Sequence, residues 1–243
     1  MRALVVVPTY NEAGNIAALI DAILGLKDRV HLCVVDDNSP DGTARIVRDH
    51  LARPGKAAHR ANLIVRSKKD GRGGAVRDGF LWGLQQPEQF DAFIEMDSDF
   101  SHPPEDIPRG LALLAQRDVV LGSRYPDGTI VGWPASRRAF SYCANLMART
   151  LIDRGIHDYT NGFRFYTRAV VERLTAQPQR HKGYIYLSET LSHLVREGAR
   201  IGEFPIVFVN RRIGVSNTTP REIVTALTGL VGIAWRHRAG PRA

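Results

Sequence analysis

Two carboxylates one residue apart, Asp97 and Asp99, close the apolar run in "FIEMDSDFSHPPED", residues 93–106. On a strand, alternate residues share a face, so both acids point the same way and repel unless something positive sits between them. A D-x-D pair at a strand exit can hold a hard divalent cation whose remaining shell comes from phosphate oxygens and water. An acidic strand end with no metal is the other reading of the same residues. A second exit is loaded in the same way: "VVDDNSPDGT", residues 34–43, carries Asp36 and Asp37, then Asp41 and Gly42 in turn chemistry that opens a helix. Like charges gathered at two buried exits cost stability. A cation, or donors on a ligand base and ribose, would relieve that cost.

Positive groups are available. Arg124 in "GSRY", Arg137 and Arg138 in "ASRRAFS", Arg164 in "NGFRFY", and Arg211 and Arg212 in "NRRIGVSN" carry guanidinium forks that suit phosphate oxygens. Each is also read as a solvated surface charge, least readily Arg124, which directly follows a buried run. "KKDGRGGAVRDGF" places Gly71, Gly73 and Gly74 ahead of a helix, either as amides that approach an anion or as a flexible turn. It is neither a Walker A loop nor a Rossmann fingerprint. His102 beside the acids is read as a ligand or, more commonly, as a helix-start histidine. No nucleophile elbow, catalytic Cys/His pair or zinc spacing occurs.

These residues need a frame. "ALVVVPTY", "HLCVVDD", "NLIVRS", "FDAFIEMDSD" and "DVVLGSRY" are near-continuous apolar runs suited to strands buried on both faces. Helical stretches lie between them at 15–26, 43–51, 74–85 and 105–116. Strand and helix alternate over residues 1–125, which predicts an α/β fold with a mostly parallel central sheet flanked by helices and ligands at the carboxyl ends of the strands. After Tyr125 come a Gly/Pro-rich loop, a helix over 136–154, a turn "DYTNGFRFY", more helix and a β-like "IGEFPIVFVNRR". This part is expected to be an extension packed on the first, with no linker between them.

The chain has 243 residues, 44% hydrophobic and 24% charged, an ordinary composition for one folded unit. A formal net charge of +8 points to an anionic partner such as nucleic acid, nucleotide phosphate or an acidic membrane surface. Cys33 and Cys143 are expected to be core thiols in a reducing compartment, and the N-terminus lacks a signal-peptide pattern, which suits a cytoplasmic location. Residues 223–235 are uncharged and largely apolar between basic ends. At about 1.5 Å per residue they cover roughly 20 Å, short of the roughly 30 Å hydrocarbon core. Ile223, Leu227, Leu230, Val231 and Ala234 are expected on one helical face, either as a membrane-surface helix or as one completing the core or a dimer.

"PTYNE", "VVDDNSPDGT", "MDSDFSHPPE", "GSRY", "DYTNGFRFY", "KGY" and "FPIVFVNRRIGVS" occur in an order that closely resembles dolichol-phosphate (polyprenol-phosphate) mannose synthases, family 2 glycosyltransferases of GT-A fold. The resemblance runs from Pro8 to Ser216. It implies one GT-A domain, with a nucleotide-sugar part at 1–125, an acceptor-side part at 126–218 and a C-terminal amphipathic helix with a basic tail at 219–243. It implies that Pro8, Tyr10, Glu12, Val35 and Asp37 line the nucleotide pocket. Asp97, Ser98 and Asp99 would then meet the sugar diphosphate and its Mg²⁺ or Mn²⁺. Arg124 and Arg211 would meet donor or acceptor phosphate, Arg137 and Ser141 the lipid phosphate, and Glu189 matches an acidic family position. Asp97, Asp99 and Arg124 are the expected catalytic residues.

The implied reaction is inverting transfer of mannose from GDP-mannose to a polyprenyl or dolichyl monophosphate by a peripheral protein on the cytoplasmic face of a membrane. A separate membrane-protein partner is compatible with it. UDP-glucose as donor is the nearest alternative, and a basic nucleic-acid-binding module is the alternative of a different class; no nucleic-acid partner is expected. Two departures from the family pattern, Asn217 in place of a usual lysine and Tyr186-Leu187-Ser188 where Phe-Gln is common before the acid, bear on sugar or acceptor more than on reaction type.

Overall fold

The computed structural model describes residues 1–26, 30–53, 58–210 and 220–239. Strand β1 (Ala3–Thr9) shows why the apolar runs are unbroken: Ala3, Val5 and Val7 enter one hydrophobic core while Leu4 and Val6 enter another on the opposite face of the sheet. Strands β2 (Val30–Asp36), β3 (Ala61–Val65) and β4 (Ala92–Glu95) pair in parallel around it, giving the order β3-β2-β1-β4. A strand covered on both sides has no polar face to spend, so the alternating pattern disappears.

Helices α1 (Ile16–Leu24), α2 (Thr43–Leu51) and α4 (Ile107–Leu114) feed the core on one face of the sheet. Helices α3 (Arg72–Leu84), α5 (Ala135–Leu151), α6 (Arg168–Ala176), α7 (Tyr186–Arg196) and α8 (Pro220–Ala239) feed the core on the other. Helix α3 lies close on the sheet because its glycines allow it. A Cβ on Gly79 would sit 2.4 Å from Val6 Cγ1, and one on Gly83 2.3 Å from Leu4 Cδ2.

The later part of the chain contributes strands to the same sheet. Strand β5 (Val119–Ser123) is followed by β6 (Thr129–Val131), β7 (Arg164–Thr167), β8 (Ile201–Pro205) and β9 (Val207–Val209). The main sheet continues β4-β7-β5-β8, so β7 is inserted between two strands of the first part and runs antiparallel to both, while β8 pairs in parallel with β5. The stretch "RFY", expected as part of a turn, is this inserted strand. Strands β6 and β9 form a small separate ribbon.

Two further expectations change. Cys33 is buried, and burial pushes its thiol up to about 12, but Cys143 is exposed on α5 and is no core thiol. Helix α8 buries Leu230, Ile233, Ala234 and His237, whereas Val231 is 58% and Trp235 71% exposed. Val231 therefore leaves the face on which Leu230 and Ala234 lie. The side chains of Ile223 and Leu227 are outside the described residues.

Candidate active site

Strands β1, β2, β4 and β5 end at one edge of the sheet, and because β7 is antiparallel, the loop that precedes it reaches the same edge, with Arg164 in register with Glu95. Each of the first three exits turns through a left-handed residue: Asn11 at φ 61°, Asn38 at 57° and Phe100 at 60°. The two asparagines tolerate that geometry; a phenylalanine does so at a cost of about 1–2 kcal/mol, met by the surrounding packing.

At the β1 and β2 exits, Pro8 is half-buried on β1 and Val35 fully buried on β2. The Glu12 carboxylate accepts from Asn15 Nδ2 at 2.8 Å, and the Tyr10 ring lies 3.8 Å beneath Lys69 Nζ. Asp36 accepts from the Thr9 and Ser39 hydroxyls at 2.8 and 2.6 Å. Asp37 pairs with Arg66, which also holds Asp78 at 2.8 Å. The crowded acids of this exit are thus compensated by the protein's own hydroxyls and by Arg66. Asp41 ties the two loops by accepting from Ala13 N and Thr43 N, each at 3.0 Å; those bonds, with the Thr43 hydroxyl, outweigh desolvation and keep its carboxyl below the usual range.

Beyond β4, Ser98 and Asp99 are buried and Asp97 is half-buried, with Asp99 Oδ1 accepting from Ser101 N at 3.1 Å. His102 is fully buried. Its Nδ1 accepts from the Asp97 amide at 3.0 Å, which leaves Nε2 to donate to Asn161 Oδ1 at 2.7 Å, and Asn161 donates in turn to Gly122 O. Burial, opposed by Asp97, keeps this imidazole below its ordinary pKa. A neutral ring with both nitrogens committed is a strut for the acidic turn, not a metal ligand. Among the described residues no group of three or more His, Cys, Asp or Glu could hold a metal. Asp97 and Asp99 offer two hard oxygen donors, a set that fits Mg²⁺ or Mn²⁺ if phosphate oxygens and water complete the shell.

On the other side of the edge, Arg124 is buried and its fork grips Asp158 at 2.7 and 2.8 Å and the Thr160 hydroxyl at 2.6 Å. Burial disfavours the charged form of each group, but the pairing prevails: Asp158 lies below, and Arg124 above, its ordinary value. Arg124 and Arg137 both lie over the Trp133 ring, at 5.4 and 4.0 Å from its centroid. Arg137, Ser141 and Asn145 follow at four-residue spacing along one face of α5, and Asn145 donates to Thr160 at 3.2 Å. Tyr125 Oη, Trp133 Nε1 and Ser141 Oγ are buried here without a hydrogen-bond partner. Buried polar atoms are rarely left so.

Arg164 is no phosphate fork. Its fully buried guanidinium donates to the carbonyls of Asn161, Leu187 and Tyr159 at 2.8–2.9 Å. Nor are the glycine-loop amides all available to an anion, since Gly73 N donates to Lys182 O at 2.9 Å, and a Cβ on Gly71, at φ 83°, would lie 2.5 Å from that same carbonyl. Glu189 is buried, with Oε2 accepting from His181 N at 3.1 Å. Arg211, Arg212 and Asn217 lie outside the described residues. Arg72 and Glu95 were not singled out from the sequence, yet Arg72 Nε reaches Asp97 Oδ1 at 2.8 Å and Nη1 reaches Glu95 at 2.7 Å. No spacing rule links residues 72 and 95.

Residues 4–175 match Glycosyl transferase family 2. The chain belongs to that family. It is 38% identical over 229 residues to a polyprenol monophosphomannose synthase of Mycolicibacterium smegmatis, covering 93% of this chain and 84% of the relative. It is 36% identical over 217 residues to an undecaprenyl-phosphate mannosyltransferase of Micrococcus luteus, covering 89% of this chain and 87% of the relative. Among solved structures, glucosyl-3-phosphoglycerate synthase of Mycobacterium tuberculosis, in complex with Mn²⁺, UDP and glucosyl-3-phosphoglycerate, superposes with a TM-score of 0.68 at 20% identity, over 98% of this chain and 80% of that one. That likeness establishes the GT-A-like α/β fold. This family 2 glycosyltransferase thus carries its acidic turn and its buried arginine at the strand edge where sheets of this architecture bind ligands.

Proposed function

We propose that the protein transfers mannose, with inversion, from GDP-mannose to the phosphate of a polyprenyl or dolichyl monophosphate. The observation that carries this reading is the juxtaposition of two unlike sites on one sheet edge: the carboxylates Asp97 and Asp99, and a basic, incompletely satisfied niche around Arg124, Arg137, Trp133 and Ser141. The names of the two relatives point to the same pairing of sugar and lipid phosphate. In this reading Pro8, Tyr10, Glu12, Val35 and Asp37 surround the nucleotide, together with Arg211, and Ser98 and the two aspartates face the sugar diphosphate.

Asp97 and Asp99 would hold Mg²⁺ or Mn²⁺, which when bound neutralises charge on the departing diphosphate. The niche arginines hold the acceptor phosphate, and Ser141 Oγ donates to one of its oxygens. A phosphate monoester has a second pKa near 6, so at neutral pH it is largely a dianion and needs no strong general base. One acceptor oxygen forms a bond to the anomeric carbon as that carbon's bond to the diphosphate oxygen breaks; GDP leaves with the electron pair and the product is a phosphodiester. Arg124 is suited to its part because Asp158 fixes its orientation before the acceptor arrives, so little reorganisation accompanies the step.

Among the described residues no helix is long and apolar enough to cross a membrane. The exposed Val231 and Trp235 of α8, with the basic residues that follow, suit peripheral attachment to the cytoplasmic leaflet, with or without a separate membrane-protein partner. The division of the chain into a donor part, an acceptor part and a C-terminal helix belongs to the same proposal. Two variants test the site. Asp99→Ala should abolish metal-dependent turnover with the fold intact by circular dichroism. Ser141→Ala should raise KM for the lipid phosphate about tenfold, the loss of one charge-assisted hydrogen bond, with KM for the donor unchanged. Full activity of Asp99→Ala would end the assignment.

A further inference from the structure

Behind the acidic turn lies a buried cluster that the reaction, as described, does not use. Glu95, the last residue of β4, is fully buried and accepts from the hydroxyls of Tyr166, at 2.6 Å, and Tyr186. Burial first, and Glu95 with it, raises both phenols well above their usual pKa, so they remain donors; Arg72 opposes the rise at Tyr186. Arg72 enters this cluster from the start of α3. Its Nη1 meets Glu95 and the Tyr186 hydroxyl, its Nη2 donates to Gly162 O at 3.0 Å, and its Nε donates to Asp97 Oδ1 at 2.8 Å. Burial alone would lower this guanidinium, but Tyr186, Asp97 and Glu95 outweigh it and keep it charged.

The geometry is directional. A guanidinium held from four sides by a strand end (Glu95), a helix (Tyr186), a loop carbonyl (Gly162) and its own helix start has one orientation, and it spends one edge on a single oxygen of Asp97. The other oxygen, Oδ2, lies 4.0 Å from His102 Nε2 and takes no part in the contact with Arg72. A planar fork fixed in this way orients a carboxylate as a mobile ammonium does not. We infer that Arg72 is a positioning residue: anchored by Glu95 and Tyr186, it clamps Asp97 in the orientation that presents its second oxygen to the donor's cation and diphosphate. The clamp also ties helix α7, on the acceptor side, to the donor carboxylate. Partners that orient a metal-binding carboxylate typically set metal affinity over about a 10–100-fold range.

This inference rests on the reading that Asp97 serves the donor's cation, and the test separates the two. Mn²⁺ is titrated into the full chain with saturating GDP, and free Mn²⁺ is read by electron paramagnetic resonance; melting temperature is recorded for every variant. Arg72→Met/Glu95→Gln removes one charge of each sign, so the cluster keeps its net charge and its hydroxyl partners but loses the clamp. Arg72→Lys keeps the charge and loses the fork. Asp97→Asn reports on the underlying reading. The double variant should bind Mn²⁺ about 10–100-fold more weakly, with its melting temperature near that of the unaltered protein, and Arg72→Lys should weaken binding in the same direction. If Asp97→Asn weakens Mn²⁺ binding while both Arg72 variants bind as the unaltered protein does, the clamp is refuted and the role of Asp97 stands. If Asp97→Asn binds Mn²⁺ unchanged, the reading of Asp97 falls and the clamp with it. Should the double variant fail to fold, Arg72→Lys decides by the same criterion.

Discussion

At the scale of single residues, the site is governed by how each buried charge is compensated. Asp158 and Arg124 are both buried and grip each other by two hydrogen bonds, so removing one partner strands the other. Asp158→Asn should destabilise the protein by about 3–5 kcal/mol in urea denaturation. The pH dependence has a definite sign. Burial would raise the Asp158 pKa, but Arg124 overrides it and the folded value lies below 3.8. The unfolded chain then takes up a proton at a higher pH than the folded one, so the pair's contribution is complete well above pH 3.8 and is lost as pH falls through the lower, folded value. Unfolding midpoints should therefore drop below about pH 4, and Asp158→Asn should lose less over that interval. The acids at 36, 37, 97 and 99 stand out along the chain because acids seldom end apolar runs. Their partners did not stand out. Arg66 and Arg72 are brought to them only by folding, and side chains that pair across tens of residues leave no periodicity to read.

At the scale of elements, α3 and α8 carry the sharpest expectations. Gly79 sits where a Cβ would lie 2.4 Å from Val6 Cγ1 and 3.1 Å from Val35 Cγ2. Gly79→Ala should cost about 1–3 kcal/mol by overpacking, although alanine is the better helix former; a stabilised variant would mean that α3 lies further from the sheet. Helix α8 presents two faces: Leu230, Ile233 and Ala234 pack inward while Val231 and Trp235 face out. Val231→Ser/Trp235→Ser should reduce sedimentation with anionic liposomes at unchanged melting temperature, whereas deleting residues 221–243 should cost stability as well. Strands β1, β2, β4 and β5 were legible because strands covered on both faces are unbroken apolar runs. Strand β7 was not: it has four residues, follows the turn-rich "DYTNG", and opens with Arg164, whose guanidinium is buried only because three carbonyls meet it.

At the scale of the whole molecule, inserting β7 between β4 and β5 joins the later part of the chain to the sheet built by the first. The same insertion brings Asp158, Thr160 and Asn161 to the edge where the acidic turn emerges. Asp97 and Asp99 and the arginines Arg124 and Arg137 therefore sit on one framework, as the proposed in-line transfer between two phosphorylated substrates requires. The most direct measurement is a transfer assay with the purified protein, Mg²⁺ or Mn²⁺ and a short polyprenyl phosphate, comparing labelled GDP-mannose with labelled UDP-glucose, with and without EDTA. The account predicts label in the lipid fraction from GDP-mannose alone, abolished by the chelator. Label from UDP-glucose in its place, or transfer indifferent to EDTA, would contradict it.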